Sequence, residues 1–73
     1  MWKYESPIGS IFIVPLADGN FGMEYNGIIW ESCPTPEAEA DNVYMQSTGC
    51  SDWDLFNTTG YYVPQSLSEW EEV

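Results

Sequence analysis

The sequence predicts an α+β fold: a three-stranded antiparallel β-meander packed against one α-helix, with an aromatic-pinned C-terminal loop and a short terminal helical turn. Three observations carry that reading. Gly9 to Pro15 is a β-branched and aromatic run closed by proline, Asn26-Gly27 separates two segments of strand character, and Thr35-Pro36-Glu37 has the chemistry of a helix start. At 73 residues the chain has room for a single domain, 1–73, near the lower size limit at which one core forms unaided.

Gly9-Ser10-Ile11-Phe12-Ile13-Val14-Pro15 reads as the first strand of the meander, ended where Pro15 removes a ladder donor. Ala17-Asp18-Gly19-Asn20 is a turn. Phe21 to Tyr25 is the second strand, and Asn26-Gly27 suits the positive backbone angles of a two-residue hairpin, so a third strand, Ile28 to Ser32, should return directly. A meander of this kind has one face to bury, and the helix is expected to cover it.

That helix opens on Thr35 as cap, Pro36 where a missing N–H costs nothing, and Glu37 facing the positive end of the dipole. Ala40, Val43, Tyr44 and Ser47 recur at helical spacing and are assigned to the inner face, with Glu37, Glu39, Asp41, Asn42 and Gln46 mostly outward. Gly49 is the expected stop. Cys50 to Gly60 is rich in Ser, Asp, Asn and Thr but carries Trp53, Leu55 and Phe56, which predicts a loop pinned to the core. Tyr61 to Pro64 is expected as a short edge strand, and Ser66-Leu67-Ser68-Glu69 as a capping box opening the last helical turn.

Composition excludes more than it assigns. Twelve acids stand against one base, Lys3, with no histidine and a formal charge of -11. Direct binding to nucleic acid or an anionic membrane needs clustered Lys and Arg, so neither is expected. The longest apolar run is too short to cross a bilayer and Met1-Trp2-Lys3-Tyr4-Glu5 lacks the layout of a signal peptide, which predicts a cytoplasmic location, that of the host if the chain is phage-encoded. Apolar residues make up 44% and aromatics 16%, enough to argue for a folded domain rather than a disordered one.

No constellation names a reaction. Cys33 and Cys50 fit neither a zinc knuckle nor a redox pair and are expected as free thiols, and without histidine neither has an evident base. Asp52-Trp53-Asp54 offers two carboxylates to calcium but lacks the rest of a calcium loop. The reading is therefore a non-enzymatic protein with no cofactor and no metal.

The elements Thr35-Pro36-Glu37-Ala38-Glu39-Ala40-Asp41-Asn42-Val43, Thr48-Gly49, Trp53-Asp54 and Val63-Pro64 with Leu67 and Trp70 give the chain a further likeness. It resembles a loosely defined group of short bacterial and phage-borne proteins that begin with a β-meander. The resemblance implies the fold and brings no activity with it. Ser6-Pro7-Ile8-Gly9 before a strand is similar to the N-terminal region of DNA alkyltransferases, but the Pro-Cys-His-Arg motif of those enzymes is missing, and Cys33-Pro34 has the reverse order.

The remaining signal is charge beside aromatics. Glu37, Glu39, Asp41, Asp52, Asp54, Glu69, Glu71 and Glu72 are expected to share a face, with Trp53, Tyr61, Tyr62 or Trp70 as anchors for a partner. A duplex carries one charge per about 1.7 Å of axis, so eight carboxylates would match about 14 Å of it. The function expected is an inhibitor, encoded by a phage or mobile element, that mimics nucleic acid. It would block the DNA- or RNA-binding channel of a basic host defence or DNA-processing protein, such as a CRISPR effector. The alternative is an interaction module that binds through an aromatic patch or an edge strand. An acidic surface also keeps a small protein soluble, but that alone does not explain the near absence of Lys and Arg.

Overall fold

Alternating burial along the strands sets the architecture. In the computed structural model, which describes residues 1–73, five antiparallel strands form one sheet in the order β4-β3-β2-β1-β5. The strands are β1 (Trp2–Ser6), β2 (Gly9–Pro15), β3 (Phe21–Tyr25), β4 (Ile28–Cys33) and β5 (Glu71–Glu72). Helix α1 (Pro36–Tyr44) lies across β2, β3 and β4, and a one-turn helix, α2 (Ser51–Asp54), and a 3₁₀ turn (Leu67–Glu69) complete the covering layer.

The α+β class is as expected, while the sheet has five strands rather than three. β1 pairs with β2 from Trp2 opposite Ile13 to Ser6 opposite Gly9, and β5 adds to the outer edge with Glu71 opposite Lys3. The Val73 N–H donates to the Met1 carbonyl at 2.9 Å, so the two chain ends lie side by side. Tyr61 to Pro64, expected as a short edge strand, joins no sheet, and its Tyr62 carbonyl accepts from the Tyr4 hydroxyl instead; Glu71–Glu72 is the strand that the C-terminal segment adds.

The hairpin between β3 and β4 is the one the sequence predicts. Asn26 and Gly27 have φ of 56° and 79°, the pair of positive angles that suits the twist of the flanking strands. Between β3 and β4 the register then slips. Met23 faces Glu31 but Glu24 faces Ile29, leaving Trp30 as the extra residue of a β-bulge. Its indole N–H donates to the Tyr25 carbonyl at 3.1 Å. The bulge resets the alternation of β4 and so turns both Glu31 and Cys33 toward the helix side, opposite Met23 and Phe21.

The core lies between the inner face of the sheet and the helical layer. Tyr4, Ile11, Ile13 and Met23 meet Ala40 and Val43 of α1 together with Cys50, Trp53 and Trp70. Trp53 is fully buried, and its indole N–H donates to the Val43 carbonyl at 2.8 Å, satisfying one of the carbonyls that end α1. Tyr4 makes edge-to-face contacts with both Trp53 and Trp70, at centroid distances of 5.9 and 5.6 Å. Phe56 stacks on Trp53, so the loop is pinned by aromatics as expected, although Leu55 points into solvent at 84% exposure.

Thr35 caps α1 as read from the sequence, its hydroxyl accepting from the Ala38 N–H at 3.1 Å. The helix ends earlier than Gly49: Tyr44 is its last residue and Gln46 takes the left-handed conformation, with φ of 54°. The Gln46 amide then donates to the carbonyls of Trp53 and Phe56, compensating for that less favourable backbone. At the last turn the capping box does not form. Glu69 accepts from the Gln65 N–H rather than that of Ser66, and the Ser66 hydroxyl pairs with Ser68.

Candidate functional site

The predicted acidic set divides into surface and interior. Glu37, Asp41, Asp52, Glu69, Glu71 and Glu72 are exposed, as are Tyr61 and Tyr62. Glu39 and Trp53 are fully buried, so neither presents anything to a partner, and Asp54 is half-buried with a local duty. Its carboxylate accepts from the N–H groups of Thr48 and Gly49 and from the Thr48 hydroxyl, at 2.7 to 3.0 Å. That use of both oxygens ties the last residue of α2 back to the connection that leads into it from α1 and leaves Asp54 a staple rather than a surface charge.

Part of the exposed set is brought together. Glu37, Asp41 and Tyr44 fall four and three residues apart and therefore line one outward stripe of α1. The 3₁₀ turn packs directly against α1, which sets Glu69 beside that helix, and Glu71 and Glu72 follow it in the chain. The Tyr62 hydroxyl donates to the Glu69 carboxylate, which holds the phenol above its usual pKa, and the Tyr61 ring lies 5.7 Å from Phe56. The structure thus shows one exposed stripe on α1, Glu37, Asp41 and Tyr44, and a bonded Tyr62–Glu69 pair at the 3₁₀ turn that touches this helix, while Glu71 and Glu72 lie on edge strand β5.

Positive charge is scarce on this molecule. Lys3 is the only basic side chain; it lies 3.5 Å from Glu5 and is paired in register with Glu71. The Glu5 carboxyl, bonded by the Ser10 hydroxyl and next to Lys3, is held below the usual carboxylate range. No free cation interrupts the helical stripe.

A second constellation was not legible beforehand. Glu31 and Cys33, two apart on β4, project toward α1, where Glu39 meets them, and one donor atom from each lies within 4.8 Å of the others. Glu39 has no exposed surface and neither of its carboxylate oxygens has a hydrogen-bond donor; Glu31 Oε1 is likewise without one. The Asn42 amide donates to Glu31 Oε2 at 2.9 Å and approaches Cys33 Sγ at 3.4 Å.

The electrostatics follow from burial without compensation. Desolvation, reinforced by the Glu31 carboxylate, pushes the Glu39 carboxyl up to about 8. Burial first, and then the neighbouring Glu39 and Glu31, push the Cys33 thiol up to about 12. This thiol is therefore no nucleophile at neutral pH. Both cysteines are free and buried, as expected. The only sequence signal for the cluster is Glu31-Ser32-Cys33, whose alternation places two donors on one strand face; the contribution of Glu39 depends on how α1 is rotated.

No helix is long and apolar enough to cross a membrane. No protein-family model, curated protein or solved structure matches the chain.

Proposed function

We propose that the protein is a non-enzymatic inhibitor whose acidic, tyrosine-bearing surface occupies the nucleic-acid channel of a basic DNA- or RNA-handling protein. A phage or mobile-element product acting on a host defence protein is the class that fits. The observation that carries this reading is the helical stripe of Glu37 and Asp41 with Glu69 beside it, on a chain whose single basic side chain is occupied elsewhere. Ordinary solubility is served by mixed charges, whereas one sign alone raises self-repulsion in the folded state.

The three carboxylates Glu37, Asp41 and Glu69 correspond to about 5 Å of duplex at one charge per about 1.7 Å, and Asp52, Glu71 and Glu72 add to the negative field around them. The molecule measures 36 × 23 × 18 Å, so such a footprint spans well under its long dimension. Tyr61 and Tyr62 supply the flat, amphipathic side chains that anchor many interfaces. Attraction of this kind speeds encounter and weakens as salt screens it.

The test is capture of proteins from lysate on the immobilised chain, with duplex DNA and salt as competitors, beside the triple variant E37K/D41K/E69K. The reading expects nucleic-acid-binding proteins that duplex DNA elutes and that the triple variant fails to retain. Capture that ignores both the competitor and the charge reversal removes it.

A second reading has its own observation. β4 is an edge strand, and Ile28, Ile29 and Trp30 on it are 50%, 42% and 37% exposed. An unpaired edge with apolar side chains is a template for an added partner strand. In that case Ile29→Lys abolishes binding and E37K/D41K/E69K leaves it intact.

A further inference from the structure

The Glu31, Cys33 and Glu39 cluster has no counter-charge of its own. Lys3 stands on β1, two strands beyond β3, and its partner is Glu5 on the same strand. Burying even one carboxylate without a partner costs several kcal/mol, so the fold must recruit either protons or a cation from outside. Two carboxylates and a thiol converging from two elements supply three donors, and the wholly buried Glu39 points two unpartnered oxygens among them.

We propose that Glu31, Cys33 and Glu39 form a binding site for one divalent cation of borderline softness, zinc in the first instance, which clamps edge strand β4 to helix α1. A thiolate ligand argues against magnesium and calcium, which take oxygen donors, and for zinc, which accepts sulfur and carboxylate together. Tetrahedral zinc with bonds of about 2.3 Å to sulfur and about 2.1 Å to oxygen needs donors about 3.5 Å apart. The donor atoms, all within 4.8 Å of one another, stand little more than about 1 Å outside that spacing.

Asn42 has the position of an orienting group, since its amide already holds Glu31 and Cys33 toward each other. Water completes the fourth position. Entry is from the free edge of β4, where Glu31 is only partly buried. Binding exchanges the protons of the thiol and of the Glu39 carboxyl for the metal, so one ion entering releases protons to solvent. The chain goes from three potential anionic ligands to a centre of net charge about -1.

Cobalt and zinc test the site on the intact chain, stripped with chelator and then titrated. One cobalt per chain should produce the near-ultraviolet thiolate-to-cobalt band, lost in Cys33→Ser and kept in Cys50→Ser. Zinc at about 100-fold excess over its Kd should raise Tm by about 10 °C or more. Glu39→Gln, which stays folded because its amide can donate to Glu31, should lose that shift. A wild-type chain that is folded yet shows neither band nor zinc-dependent shift overturns the proposal and assigns the cluster to shared protons alone. A band that survives in Cys33→Ser overturns it as well. Neither result bears on the charge-reversal test of the surface, because all three ligands lie apart from the outward residues of α1.

Discussion

Glu39→Gln should convert a protein that weakens as pH rises into one that does not. Folded, with metal withheld by chelator, the Glu39 carboxyl sits at about 8, against a reference value of 4.5. The native state thus keeps a proton over a range in which the unfolded chain has released it. This contribution to stability is fully present below about 4.5, is lost progressively as pH climbs, and is gone above about 8. At about 1.36 kcal/mol per pH unit the ceiling is about 5 kcal/mol, a large part of what holds a small domain together.

Between the reference value and about 8, Glu39 carries the proton whose retention differs between the folded and unfolded chain. The interval from about pH 5 to about pH 8 therefore reports chiefly on Glu39. Urea unfolding followed by tryptophan fluorescence, with Trp53 wholly buried, gives the free energy at each pH. Wild type should lose several kcal/mol across the interval, while Glu39→Gln stays nearly flat and is the more stable of the two at pH 8. Parallel curves, or a variant less stable than wild type at pH 8, would refute the electrostatic reasoning behind the buried cluster.

Three further substitutions probe the frame. Gly22→Ala should cost about 1–3 kcal/mol in urea unfolding, because the added methyl would meet Ile29 Cγ2 at 2.9 Å and the Glu31 carbonyl at 3.2 Å; a neutral result would mean the sheet yields there. Asp54→Ala strips the partners from the Thr48 and Gly49 N–H groups and should cost about 2 kcal/mol, without altering affinity for a basic partner if Asp54 is only a staple. Trp53→Phe removes the indole bond to the Val43 carbonyl and leaves space beside Tyr4, which should cost about 2–3 kcal/mol and reduce the change in fluorescence on unfolding to what the buried Trp70 and the other tryptophans supply.

Local chemistry made the centre of this fold readable. Asn26-Gly27 dictates its turn, and Thr35-Pro36 its helix start, with little help from the rest of the chain. β1 and β5 were not readable in the same way. Trp2-Lys3-Tyr4-Glu5-Ser6 lacks a β-branched run and is a strand through its hairpin with β2, while Glu71-Glu72 has poor strand propensity and is a strand only through pairing with the opposite end of the sequence.

The candidate site was half legible for a related reason. A turn of about 100° per residue means that a small error in the inward direction exchanges neighbours. Centring the inner face on Ala40 and Tyr44 puts Glu39 outside, whereas the actual face is centred nearer Val43, which buries Glu39 and leaves Tyr44 46% exposed. The bulge at Trp30 is equally silent in the sequence, and without it Glu31 would not face the helix. Charge, by contrast, needs no geometry to be counted, so the exposed acids of α1 and of the C-terminal segment were found from composition and spacing alone.

Competition on a defined duplex tests the proposed function most directly. A labelled duplex bound to a nucleic-acid-binding protein captured by this chain should be displaced as the chain is added, with a midpoint that moves to higher concentration as salt rises and is lost in E37K/D41K/E69K. Simultaneous binding of duplex and chain to the same protein, with no displacement at any salt concentration, would contradict the account.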